Sequence, residues 1–186
     1  MQNSSGDARH TEQIEAHGLK AVRLSASGSE ALVYLHGAHL ASFRTSEHGE
    51  LLWTSERAVY APGKAIRGGV PLCFPWFGAH PTQTYLPAHG FARTREFRFE
   101  GSEMRGDNVV AELSLSSSED TLPLFPHSFT ARLRLTVGRE LSVAFEVENT
   151  GAEAFDYELA LHTYLGVSDV RNVEVTVHDN DQPGVV

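Results

Sequence analysis

The sequence lacks the features that mark several protein classes. Cys73 is the only cysteine among the 186 residues, so an internal disulfide is excluded and a reducing compartment is expected. Fifteen lysines and arginines face 24 acidic residues, which gives a formal net charge of -9. A nucleic-acid-binding protein usually shows a basic surface. The composition therefore argues against nucleic acid as a partner.

Long apolar runs are also missing. No stretch approaches the roughly 20 apolar residues of a membrane span, and the polar start MQNSSGDARHTEQIEAHG has no apolar core of a secretory signal. We therefore predict a cytoplasmic protein with no membrane partner. The length predicts one domain over residues 19–186, preceded by a flexible N-terminal segment over residues 1–18.

Signatures of metal or nucleotide chemistry are absent from the sequence. It has no HExxH, CxxC, GxSxG, P-loop or Rossmann glycine motif. His36 and His39 are three residues apart, which on a strand would turn them to opposite sides. We predict no metal site and no cofactor.

The sequence does contain many short runs with a period of two. In FTARLRLTV (129–137) and LSVAFEVEN (141–149), apolar and polar residues alternate, and the short loop 138–140 between them predicts a hairpin. LKAVRLS, EALVYL, VVAELSLS, FDYELALHTYL and VEVTV are similar, whereas SSEDTLPLFPHS has room for one short turn. With no long amphipathic helix, the pattern predicts an all-β fold, an antiparallel β-sandwich.

The segment IRGGVPLCFPWFGAHPTQTYLPAHGFAR (66–93) follows neither period. Its glycines and prolines predict a rigid, irregular loop, which either caps the core with its aromatic residues or carries function. Trp76 and Phe77 could line a pocket or pack beneath one. Arg67 and Arg93 have planar guanidinium groups suited to phosphate or carboxylate, and they make an anion site near His89 plausible.

His162 lies in FDYELALHTYL. The period of two places Phe155, Tyr157, Leu159 and Leu161 on one face and His162 on the other. Either His162 is a half-exposed strand residue, or that face binds a ligand. Because imidazoles exchange protons near neutral pH, a histidine at a ligand would suit acid–base catalysis.

AIRGGVPLCFPWFG, LPAHGFAR and ALHTYLGVSDV together resemble the hexose-6-phosphate mutarotases, also called glucose-6-phosphate 1-epimerases, of the aldose 1-epimerase superfamily. LHGAHLASFR, LLWTSERAVYAPGKAIRGG and PHSFTARLRLTVGRELSVAFEVENTG extend the resemblance over residues 19–177. It implies a galactose mutarotase-like sandwich that needs no cofactor and interconverts the anomers of a hexose 6-phosphate. It also implies that Arg67 and Arg93 bind the phosphate, that His89 lies in the sugar site and that His162 is the general acid.

The resemblance breaks at the general base. In the family this is a glutamate in a strand well downstream of the LHTY motif, but the sequence ends at Val186. The resemblance thus implies a partial domain over 19–186 without the C-terminal strands, and no motif assigns the base role to Glu158 or Glu174. Exposed sheet edges would then favour self-association, and turnover would be slow. A non-catalytic module that binds sugar phosphate, or less plausibly a structural domain, remains an alternative.

Overall fold

The computed structural model describes residues 10–80 and 82–174, and its regular structure is almost entirely β-strand. Within these residues, two short 3-10 turns cover Ala92–Thr94 and Val170–Asn172. The strands are β1 (Thr11–Ala16), β2 (Leu19–Ala26), β3 (Ser29–Tyr34), β4 (His39–Thr45), β5 (Gly49–Glu50), β6 (Leu72–Cys73), β7 (Arg98–Arg105), β8 (Asn108–Ser116), β9 (Phe129–Val137), β10 (Leu141–Asn149) and β11 (Ala160–Leu161).

The first sheet is an antiparallel meander in the order β1-β2-β3-β4-β5. Tight turns at His17-Gly18 and Ser27-Gly28 join its first strands, and all four residues have positive φ, as primed hairpin turns require. The prediction of a flexible segment over 1–18 is wrong for β1. Ile14 and Ala16 pack on a small outer cluster, which holds the strand in place; residues 1–9 lie outside the described chain.

The second sheet runs in the order β10-β9-β8-β7 and confirms the predicted hairpin. Leu141 pairs with Val137, and the register continues to Asn149 opposite Phe129. The alternation in β9 is realised fully: its five inward residues, Phe129, Ala131, Leu133, Leu135 and Val137, are at most 2% exposed. The apolar residues of β10 are only half-buried, because β10 is an edge strand of this sheet.

The core lies between the two sheets. Inward residues of β2, β3 and β4 form one apolar cluster with those of β8 and β9, and Phe74, Trp76 and Phe91 from the segment 66–93 join it. Residues 10–80 and 82–174 thus form the antiparallel sandwich that the sequence predicts. None of their helices is long and apolar enough to cross a membrane.

The strand predicted for 155–165 is mostly wrong, since only Ala160 and Leu161 form β11, opposite β6. The segment is extended, but its partner carries Pro71 and Pro75. Each proline carbonyl accepts a backbone N–H, from His162 (3.0 Å) and Glu158 (2.9 Å). Proline has no N–H to return, so a regular ladder cannot continue.

Two smaller predictions can be compared with the fold. The turn expected in SSEDTLPLFPHS is present: the Leu122 amide donates to the Ser118 carbonyl at 3.0 Å, and the Phe125 amide donates to the Thr121 carbonyl at 2.9 Å. The strand expected at 173–177 falls mostly outside the described residues, and Val173 and Glu174 are not in a strand.

Candidate functional site

The first part of the segment 66–93 lies beside the first sheet, where Val70 forms a bridge with Leu40 of β4 and Gly68 forms one with Thr54. Gly68 has φ +102°, and a Cβ there would lie 2.5 Å from the Trp53 carbonyl oxygen, so only glycine fits this path. The Ser55 amide donates to the Arg67 carbonyl at 3.0 Å. Arg67 itself is exposed, so its guanidinium extends from a backbone that is fixed on both sides.

Trp76 and Phe77, which the sequence predicts either to line a pocket or to pack beneath one, have different environments. Trp76 is 5% exposed and donates from Nε1 to the Pro87 carbonyl at 2.9 Å, so it packs beneath the surface. Phe77 is 45% exposed. Its ring centre lies 4.9 Å from that of His89 and 6.4 Å from that of His162. Phe77 therefore borders both histidines that the sequence singled out.

His89 is held by Gly78 through a pair of hydrogen bonds. The His89 amide donates to the Gly78 carbonyl at 2.7 Å, and the Gly78 amide donates to His89 Nδ1 at 3.1 Å. Because Nδ1 is the acceptor, the neutral ring carries its proton on Nε2. His89 also has φ +67°, a conformation that is uncommon for a non-glycine residue and concentrated at functional sites.

Arg93 lies in the 3-10 turn that follows. Its Nη2 donates to the Ala88 carbonyl at 2.7 Å, which holds the guanidinium on the loop that carries His89. Burial lowers the pKa of His89, and the positive charges of Arg93 and His162 lower it further. The neutral form of His89 is therefore favoured, so this ring is suited to hydrogen bonding.

His162 is exposed, whereas the neighbouring Leu161 packs against the core. Its ring centre is 6.4 Å from that of His89 and 4.9 Å from that of Tyr164. The ring centre of Tyr164 in turn lies 5.9 Å from that of Trp53. The two histidines and three aromatic rings form a surface of the sandwich rim that is partly apolar and partly able to exchange protons.

The structure thus brings His89, Arg93 and His162 together. Arg67 lies on an adjacent segment, since Gly69 two residues later accepts a hydrogen bond from the Tyr164 amide at 2.8 Å. Within the described residues the Arg67 side chain makes no hydrogen bond. It is free to turn toward a ligand, and its part in the site remains a prediction.

Sequence reasoning missed Tyr164 and the place of Glu158. Tyr164 is two residues after His162, so the period of two would have placed it on the same face. Glu158 accepts from the Phe77 amide at 2.8 Å, a contact between distant segments that no local pattern predicts.

The arrangement offers hydrogen-bond donors, cations and aromatic faces in one place. An exposed imidazole can deliver a proton, a guanidinium can bind an anion, and exposed rings can contact the apolar face of a sugar. Among residues 10–80 and 82–174, no three His, Cys, Asp or Glu side chains are grouped so that they could hold a metal ion.

Fold and site together define a β-sandwich protein with a histidine- and arginine-bearing rim. Residues 20–183 match the family model described as aldose 1-epimerase. A protein from Escherichia coli (strain K12) named "Putative glucose-6-phosphate 1-epimerase" is 39% identical over 142 residues, which cover 76% of this chain and 47% of that protein. One of the same name from Cenchrus ciliaris is 36% identical over 165 residues, covering 84% and 49%.

Among solved structures, the crystal structure of a "putative mutarotase" from Salmonella typhimurium superposes with a TM-score of 0.81 at 33% identity, covering 88% of this chain and 54% of that one. The chain belongs to the aldose 1-epimerase family, and the mutarotase-like sandwich predicted from the sequence is confirmed. The chain spans about half the length of the curated relatives it matches.

Proposed function

We propose that this chain carries the substrate-binding and acid side of a hexose-6-phosphate mutarotase, which interconverts the α and β anomers of its substrate. The observation that carries the proposal is the closeness of His89 and His162, whose ring centres lie 6.4 Å apart, next to Arg93 and Phe77. Relatives named as glucose-6-phosphate 1-epimerases support the choice of substrate class.

The reaction needs two proton transfers and no redox change. A base removes the proton from the C1 hydroxyl while an acid protonates the ring oxygen, so that the C1–O5 bond breaks and the open aldehyde forms. Rotation about C1–C2 followed by the reverse transfers closes the ring on the other face. Positioned acids and bases contribute about 10²–10⁴-fold each to such steps.

In this proposal each site residue has one role. His162, exposed and free to approach a ligand, is the acid at the ring oxygen. His89 donates from Nε2 to a sugar oxygen, and Arg93 and Arg67 bind the phosphate, so that the sugar stays in place while its aldehyde end turns. The base is the glutamate that the family resemblance implies downstream of the LHTY motif.

Calorimetric titration with glucose 6-phosphate tests the anion site. Arg93→Ala and Arg67→Ala should each weaken binding by about 10- to 100-fold, since each removes a charged hydrogen-bond donor. Arg139→Ala, at the exposed turn between β9 and β10, is the matched control and should leave the affinity unchanged. Unaltered binding by both site variants would contradict the assignment.

A binding module without catalysis is the second candidate, and one observation favours it. Within the described residues no carboxylate lies in ion-pair range of His89 or His162, whereas Glu158 is bonded to the Phe77 amide. Anomer-exchange NMR separates the two functions. A mutarotase exchanges the anomers faster than water alone does, whereas a binding module binds glucose 6-phosphate and leaves the exchange rate unchanged. Binding without faster exchange would favour the second candidate.

Self-association through exposed sheet edges stays a prediction and belongs to the proposal. It is supported by β10, an edge strand whose apolar residues are half-buried. An open edge with an apolar face is the arrangement that pairs with another chain.

A further inference from the structure

The segment that carries His162 and the loop that carries His89 are joined at Glu158. Its amide donates to the Pro75 carbonyl at 2.9 Å, and its carboxylate Oε2 accepts from the Phe77 amide at 2.8 Å. Glu158 therefore forms hydrogen bonds to the backbone of both neighbours of Trp76, Pro75 and Phe77. Along the rest of the segment, the amides of His162 and Tyr164 make the equivalent bonds to Pro71 and Gly69.

The Glu158 carboxylate takes the place of a backbone carbonyl at a point where the backbone pairing is interrupted. At Pro75 the two segments share only the hydrogen bond from the Glu158 amide to the Pro75 carbonyl. The return bond of a regular ladder is missing because proline has no N–H. The Phe77 amide beyond it is bonded by no backbone carbonyl among the described residues. The Glu158 side chain supplies an acceptor for this amide in an exposed hydrogen bond.

The next amide along the chain has a different partner. Gly78 N–H donates to His89 Nδ1 at 3.1 Å, and the Gly78 carbonyl accepts the His89 amide at 2.7 Å. Two successive amides, of Phe77 and Gly78, thus bind the Glu158 carboxylate and the His89 ring. A shift of the Phe77 peptide would rotate the Gly78 amide away from His89 and would move the Phe77 ring, which borders both histidines.

We propose that Glu158 is a positioning residue, whose carboxylate fixes the Phe77–Gly78 backbone and so orients His89 relative to His162. The geometry stands by itself; only the relevance of this orientation to catalysis rests on the proposed function. Glu158 bonds to the Phe77 amide, and the proposal gives it no proton transfer with substrate.

Three variants of the 186-residue chain separate this role from a charge effect. Glu158→Ala removes the acceptor, Glu158→Gln retains a carbonyl oxygen, and Asp156→Asn removes one charge from the same face without touching Phe77. NMR on ¹⁵N-labelled protein would follow exchange of the Phe77 amide with water and the titration of the His89 ring, which faces the Arg93 guanidinium and the His162 ring.

In Glu158→Ala we expect Phe77 amide exchange to speed up about 10-fold or more and the pKa of His89 to rise toward its ordinary value, because Nδ1 loses its donor. Losing a negative charge alone would lower that pKa, so the sign distinguishes the two effects. Glu158→Gln should recover most of both signals, and Asp156→Asn should change neither.

The same variants are then assayed for hexose-phosphate anomer exchange. Glu158→Ala should lower kcat about 3- to 10-fold with little change in KM, the size expected from one exposed charged hydrogen bond. Absence of anomer exchange in the unmodified chain would count against the proposed function and leave the NMR result standing. The positioning role is overturned if Glu158→Ala leaves the Phe77 and His89 signals unchanged, or if Glu158→Gln matches Glu158→Ala.

Discussion

β9 and the segment 155–165 have the same alternation of apolar and polar residues, but they fold differently. β9 lies between β8 and β10 and is paired on both sides over its whole length. The segment 155–165 enters a ladder only at Ala160 and Leu161, and near its end Leu165 forms an isolated bridge with Leu52. The difference arises in the segment opposite, residues 71–75 of the same chain. The backbone carbonyls of Pro71 and Pro75 accept hydrogen bonds, but proline has no N–H to donate.

As a consequence, β9 stabilises the core, whereas the segment 155–165 presents side chains at the surface. Strand β9 buries its apolar face and stabilises the sandwich, whereas the segment leaves Tyr157 and Leu159 46% and 39% exposed. On its other face the segment presents Glu158, His162 and Tyr164 to the rim. Because its ladder is only two residues long, this extended segment can place side chains at a site without following the register of a continuous sheet.

Matched leucine truncations test this comparison with the largest expected effect. Leu133→Ala in β9, where the side chain is 2% exposed, should lower the free energy of unfolding by about 2–5 kcal/mol because a cavity forms in a packed core. Leu159→Ala should cost less than about 1 kcal/mol, since its side chain is already partly in water. Urea denaturation followed by circular dichroism measures both. Equal costs would show that the segment is part of the core after all.

The sequence predicted most of the sandwich because alternation reports directly which side of a strand is buried. It predicted β9, β10 and their hairpin with the right bounds. It missed β1, β4 and β7; in β1 the apolar residues are few, so the period of two gives a weak signal. It overextended β11, since the pattern within one segment contains no information about prolines in its partner.

The candidate site could be predicted only in part for a similar reason. His89, Arg93 and His162 were found through motifs and a family resemblance, and the structure brings them together. Their distances, the exposed position of Phe77 and the bond from Phe77 to Glu158 depend on how two distant segments meet. Local patterns do not encode such contacts.

A histidine of the sandwich itself provides the second test, with a smaller expected effect. His39 in β4 is 2% exposed and lies under the Arg67-Gly68-Gly69 turn, where a Cβ on Gly69 would be 2.9 Å from His39 Nε2. Burial, aided by the neighbouring His36, lowers the pKa of His39 to about 4. The core keeps the His39 ring neutral.

Because the unfolded chain takes up this proton near the ordinary histidine value of about 6.5, the neutral form of His39 stabilises the fold above that pH. As the pH falls from 6.5 to 4, the unfolded state binds the extra proton and about 3 kcal/mol of stability should be lost. His39→Gln and His39→Leu cannot titrate, so both should flatten the pH dependence of the free energy of unfolding, whatever they cost at pH 7. Urea denaturation at several pH values measures the slope. If the variants keep the slope of the original chain, then burial does not lower the pKa of His39, and its assignment as a neutral core histidine is wrong.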